Sequence, residues 1–376
     1  MFKITPGGKL TTVYSFCSQT NCTDGVEPIA GLIQEINGDF YGTTCCGGAN
    51  PRAGYGGTVL KITPDGKLTT LYSFCLQTNC TDGDSPAGGL IQATDGNLYG
   101  TTYYGGANST GCESEGLGCG TVFSIDQSGT LTTLHSFCTV GGSACTDGYF
   151  PRAGLVQATN GNFYGTTEVG GANDGGTVFE ITPSGTLTTL YSFCSQTNCT
   201  DGGGPEGGLI QATDGNFYGT TEGGGANAEA GGTVFEITPS GTLTTLYSFC
   251  STGGSACTDG DTPVAGLIQS TNGVFYGTTE YGGANGGGVV FSLSVGLRPF
   301  VETQTTSGKV GAAVNILGSD LTGATKVAFN GTAATFTVIS ASEIATTVPA
   351  GATTGFVEVT TPSGKLKSNT KYRVKP

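Results

Sequence analysis

Over most of the chain, apolar and polar residues alternate in short runs separated by glycine-rich turns, and residues 176–232 show the pattern most clearly. Runs at 177–182, 186–193, 208–213 and 217–221 carry Val, Ile, Leu, Phe, Tyr and Thr with the two-residue period of pleated strands. Each run ends on turn chemistry. Pro183-Ser184-Gly185 closes the first, a cysteine-bounded loop with Asp201-Gly202 the second, and Asp214-Gly215 the third, which is a strong hairpin signal. Asn37-Gly38, Asn160-Gly161 and Asn272-Gly273 stand at the same hairpin position, and Gly223-Gly224-Gly225 opens the way to the next copy. The unit predicts four short strands and no helix.

This unit recurs. Its Thr-Val-Phe landmark ends at Leu60, Phe123, Phe179, Phe235 and Phe291, with spacings of 63, 56, 56 and 56 residues, and Phe2 lies 58 before Leu60. A fixed period of this size signals a repeat architecture in which neighbours bury each other's apolar faces. Four antiparallel strands per unit about a common axis predict an all-β fold, a five-bladed β-propeller; a β-solenoid is the competing arrangement. Four blades are complete, at 28–74, 86–137, 151–193 and 205–249. Three strands at 263–295 and two at 2–16 are expected to join as the fifth, which leaves one strand spare for an edge or for self-association. Beyond 297 the repeat stops. Runs at 310–317, 326–330, 334–340, 343–348, 355–360 and 371–374 predict a small β-sandwich, giving domains at 1–297 and 298–376.

Charge divides the chain in the same place. Residues 1–297 hold six basic and 24 acidic side chains, a balance of −18, and residues 298–376 hold eight and four, a balance of +4. The acidic array repels a phosphate backbone, which argues against nucleic acid, and the opposite signs allow the tail of one molecule to meet the array of another. No apolar run approaches the roughly 20 residues of a membrane span, so no membrane insertion is expected.

Cysteine usage places the protein. Cys17 and Cys22, Cys75 and Cys80, Cys138 and Cys145, Cys194 and Cys199, and Cys250 and Cys257 recur at one point of the repeat, and Cys112 and Cys119 bracket an insertion. With a single histidine in the chain, local disulfides are favoured over zinc, and they imply an oxidising, extracellular setting. Cys45 and Cys46 differ: adjacent cysteines are poorly placed to bridge each other, and an inter-chain or cross-loop link is the expectation. No signal peptide is recognisable and Met1 falls within a repeat strand, which points to a processed or truncated N-terminus.

The candidate chemistry is sparse. Asp24, Asp82, Asp147, Asp201 and Asp259 recur in Thr-Asp-Gly, where aspartate commonly closes a turn on its own backbone. Calcium coordination with loop carbonyls is the weaker alternative, and no other cofactor is indicated. Glu168, Glu222 and Glu280 follow Tyr-Gly-Thr-Thr, where other copies have Cys45 and Tyr103; repetition of one acid argues against the distinct roles that glycoside hydrolysis needs. His135 stands in for Tyr14, Tyr72, Tyr191 and Tyr247 as a packing residue, with no partner set for catalysis. Tyr103, Tyr104 and Tyr281 are candidates for stacking on sugars, and Asn21, Asn79, Asn108 and Asn198 begin glycosylation sequons.

The segments GTVFEITPSGTLTTLYSF, GLIQATDGNFYGTT and GGA resemble the bacterial GloVer tandem repeat, over residues 1–295. That resemblance implies a propeller-like domain outside the cell and assigns no activity. The tail, with its FNG strand, VPAGA turn and VEVTTPSG strand, resembles IPT/TIG domains, immunoglobulin-like spacers and adhesive modules of surface proteins. The expectation is a non-enzymatic extracellular structural or adhesive protein, self-associating through its spare strand and C-terminal domain; a glycan-binding receptor module is the alternative.

Overall fold

The computed structural model describes residues 1–35, 38–49, 56–108, 112, 117–140, 144–227 and 231–376, so the Asn37 half of the first hairpin signal lies outside the described residues. The described residues form two compact units, one of Met1–Gln211, Phe217–Leu267 and Thr278–Val290, the other of Ala212–Asn216, Ile268–Gly277 and Phe291–Pro376.

The first unit is built on four sheets, each an antiparallel meander of four strands in chain order. In the fourth, Ile210–Gln211, Phe217–Thr221, Thr233–Ile237 and Leu243–Ser248 pair in turn, with Phe217 opposite Ile237 and Thr221 opposite Thr233. Its second strand is buried along its whole length and its third all but so, on both faces. That burial explains the near-continuous apolar run and also the threonines, which would otherwise be stranded polar groups. Thr221 and Thr233 share a hydroxyl–hydroxyl bond of 2.8 Å, as do Thr102 with Thr121 and Thr167 with Thr177.

Aromatic rings lock one sheet to the next. Tyr99 stacks on Phe163 and Tyr164 on Phe217, each at 4.1 Å, while Phe74, Phe137 and Phe193 meet Phe123, Phe179 and Phe235 edge to face. The glycine in the second strand makes room for this packing. A Cβ at Gly219 would stand 2.7 Å from the Phe235 ring, and Gly100 and Gly165 are equally confined.

The expected fifth unit takes another form. Phe2–Ile4 and Leu10–Thr12 pair only with each other among the described residues, and the last sheet has three strands, Ile268–Gln269, Phe275–Thr278 and Val290–Leu293. Among the described residues, Val290–Leu293 takes the place beside Phe275–Thr278 that Phe2–Ile4 was expected to contest.

In the second unit, strands between Val301 and Lys375 form one nine-stranded sheet system around a core that includes Val301, Ile316, Val327, Phe329, Ile344 and Val357. The expected runs are present as Ala313–Gly318, Lys326–Phe329, Phe336–Ser340, Glu343–Thr347 and Gly355–Thr361. The last strand, Gly364–Lys375, is longer than its apolar run because in its first half Lys365 and Lys367 alternate with Leu366, which packs on the core, and buried Ser368. Among the described residues, no helix is long and apolar enough to cross a membrane.

Candidate functional site

Five of the six cystine loops close over an aspartate, buried at Asp24, Asp82, Asp147 and Asp201 and half-buried at Asp259. All six expected pairs are joined, and the two cysteines left over are Cys45 and Cys46. Asp201, fully buried, accepts from the Tyr191 hydroxyl at 2.8 Å, the Ser195 hydroxyl and amide at 2.9 Å, and the Gln196 amide at 3.2 Å. Asp24 and Asp259 repeat the set with Tyr14 and Tyr247, and Tyr72 donates to Asp82 at 2.9 Å. His135 fills the tyrosine's role, its Nε2 lying 3.0 Å from Asp147 and its ring edge-on to Phe137. The oxygens a calcium ion would need are thus occupied by N–H and O–H donors. Burial pushes Asp24, Asp147 and Asp259 upward, but these hydrogen bonds outweigh it and hold all three below the usual carboxylate range.

Where the copies diverge, a polar chain crosses three sheets. Two connection positions vary from repeat to repeat: the residue after the proline that precedes the first strand, Ile29, Ala87, Arg152, Glu206 or Val264, and the residue after the second strand, Cys45, Tyr103, Glu168, Glu222 or Glu280. Tyr103 of the second sheet donates to Glu168 of the third at 3.0 Å. Arg152 reaches Glu168 at 3.4 Å and Glu206 of the fourth at 2.6 Å, with its guanidinium over the Tyr103 ring. Glu206 is in turn hydrogen-bonded to Glu222. Burial, reinforced by Glu206 and Glu168, pushes Glu222 up to about 7, and burial also raises Glu168 despite Arg152. Arg152 and Glu206 went unnoticed in the sequence; the signal was there in the break of repetition after the proline.

These contacts distribute the candidates unevenly. Glu168 and Glu222 belong to the chain, whereas Glu280 is exposed and pairs with neighbouring Tyr281. Tyr103 is covered by Phe150 at 4.7 Å and by Arg152, which leaves it no free ring face, and half-buried Tyr104 makes an edge-to-face contact with Phe150. Tyr281 is 53% exposed. Asn21, Asn79 and Asn198 lie exposed in the cystine loops, while Asn108 donates to the Phe137 carbonyl. The arrangement binds protons and bridges sheets; each carboxylate in it is already matched to a donor or a neighbour.

Comparison with known proteins gives a family. No curated protein matches the chain. Among solved structures, an exo-beta-1,3-galactanase from Phanerochaete chrysosporium is 10% identical with a TM-score of 0.40, covering 91% of this chain and 88% of that one. A beta-fructofuranosidase from Bombyx mori is 11% identical with a TM-score of 0.39, covering 93% and 85%. A putative gluconolactonase is 12% identical with a TM-score of 0.36, covering 77% and 80%. Likenesses this loose bear on neither substrate nor reaction. The family match is of another kind: the Gloeobacter/Verrucomicrobia repeat matches residues 1–146 and 112–337, running past the last sequence repeat into the tail. Spanning the array in this way, it makes the chain a member of the Gloeobacter/Verrucomicrobia repeat family.

Proposed function

We propose that this chain is a non-enzymatic extracellular structural or adhesive protein that associates end to end. In this reading residues 1–297 are a five-bladed propeller, the fifth blade completed on association, and residues 298–376 are an IPT/TIG-like immunoglobulin-type module. The observation that carries it is the exposure of apolar side chains in the last repeat and in the first. Tyr276 is 37% exposed, against 1–3% for its counterparts Tyr41, Tyr99, Tyr164 and Tyr218, and Val290 is 79% exposed where Val178 and Val234 are buried. At the other end Phe2 and Ile4 are 65% and 61% exposed, and a cleft of about 310 Å³ lies over Phe40, where Phe163 and Phe217 carry a tyrosine of the preceding sheet. Seating Tyr276 of one copy over Phe40 of the next repeats a contact the array already makes.

Sedimentation velocity and negative-stain microscopy of the 376-residue chain test this. Concentration-dependent linear oligomers are expected, lost in Tyr276→Ala and Ile268→Lys; a wild-type chain that stays monomeric at all concentrations overturns the reading. Exposed Tyr281 beside Glu280 favours a second reading, a glycan-binding receptor module, which predicts selective signals on a glycan array that Tyr281→Ala removes.

A further inference from the structure

The first repeat departs from the others at one place by three changes that meet in space. After the second strand it has Cys45-Cys46, where the other copies read Tyr103-Tyr104, Glu168-Val169, Glu222-Gly223 and Glu280-Tyr281. Facing this, before the proline, it has Glu27, where they have Ser85, Phe150, Gly204 and Thr262. The backbone holds these residues in register. Cys45 N–H donates to the Glu27 carbonyl at 3.0 Å, and Val26 and Cys46 exchange N–H···O bonds of 2.8 and 3.3 Å. The thiols converge, with Cys45 Sγ 3.3 Å from Cys46 Sγ and Cys46 Sγ 3.8 Å from Glu27 Oε2.

From this geometry we infer that Glu27, Cys45 and Cys46 form a binding site for one thiophilic divalent cation of the zinc class. All three donor atoms lie within 4.8 Å of one another. A tetrahedral ion with zinc–sulfur bonds of about 2.3 Å sets its sulfurs roughly 3.8 Å apart, so small rotations about χ1 bring the trio onto a single ion. Two sulfurs and one carboxylate oxygen select a borderline-soft metal over calcium or magnesium, which take oxygen alone. The surroundings favour a cation as well. Asp84, on the matching segment of the next repeat, acts electrostatically on Cys46; it is 1% exposed, and its Oδ2 has no hydrogen-bond partner among the described residues. The other twelve cysteines are consumed in local bridges whose positions recur or bracket an insertion, whereas this pair serves no structural position shared with another repeat. Three protein donors leave a fourth position for water or for a group from a bound partner.

The test uses the full chain, isolated without reductant and stripped of metal, with thiols counted by alkylation and mass. Two free thiols are expected, and titration with Cd²⁺ should saturate at one ion per chain with a thiolate-to-cadmium charge-transfer band in the ultraviolet. Cys45→Ser and Cys46→Ser should each abolish one-to-one binding, and Glu27→Gln, a change at an exposed side chain, should weaken Cd²⁺ and Zn²⁺ by roughly tenfold or more. Alkylation of the remaining sulfurs after reduction confirms that the variants keep all six bridges. The inference is overturned by a chain whose Cys45 and Cys46 are oxidised to each other or to another chain. It is equally overturned by free thiols that give no band, by a band that survives both serine variants, or by unchanged affinity in Glu27→Gln.

Discussion

Removing the Asp201 carboxylate takes the acceptor from the Tyr191 hydroxyl and from the amides of Ser195 and Gln196 at once. Losing these part-buried bonds to a carboxylate costs about 1–3 kcal/mol, so Asp201→Ala should lower stability in urea by that amount, and Tyr191→Phe by less. The sequence displayed both partners, the recurring Thr-Asp-Gly and the recurring tyrosine, but their pairing became visible only once the cystine loop brought residue 201 back to residue 191. Acid acts on these pins in a definite direction. Because Asp24, Asp147 and Asp259 are held low when folded, their contribution is intact above the ordinary aspartate range and fades as pH falls through the lowered values. Glu222 works the other way. Its folded pKa of about 7 exceeds the ordinary 4.5, so its stabilising proton is fully bound below 4.5 and lost as pH rises through 7. Glu222→Gln, neutral throughout, should flatten the pH dependence of the thermal midpoint across that window, read by calorimetry from pH 4.5 to 8.

At the level of the sheet, what matters is that the second and third strands are covered on both sides. Phe235 has no exposed surface; it meets Phe193 of the preceding sheet and closes over Gly219 of its own. Phe235→Ala should therefore cost about 3–5 kcal/mol and loosen two sheets together, which hydrogen exchange at 187–192 and 217–221 would register as a joint loss of protection. Strands of this kind were legible because alternation, Asp-Gly and Asn-Gly turns and a fixed period all agree on them. The expected joining of the chain ends was not legible in the same sense, since Phe2–Ile4 and Val290–Leu293 are copies of one strand and pattern alone does not rank two copies competing for one place. The Gly364–Lys375 strand was underestimated for a different reason: Lys365, Lys367 and Lys371 look like a solvated loop until the paired Gly355–Thr361 strand is beside them.

Across the molecule, repetition preserves the fold while polar contacts and free thiols gather at the exceptions. The polar chain from Tyr103 to Glu222 and the Cys45-Cys46 thiols both stand where copies disagree, and the sequence pointed only to the members that drew attention by chemistry, Tyr103, Glu168, Glu222 and the cysteines. Arg152 escaped because an isolated arginine in an acidic array reads as surface charge. The sheet-to-sheet contact has a further consequence. Since Tyr99 on Phe163 and Tyr164 on Phe217 are the same junction, excising one 56-residue period joins two faces that already fit. Unequal recombination within such a gene can lengthen or shorten its product by whole periods without composing a new interior.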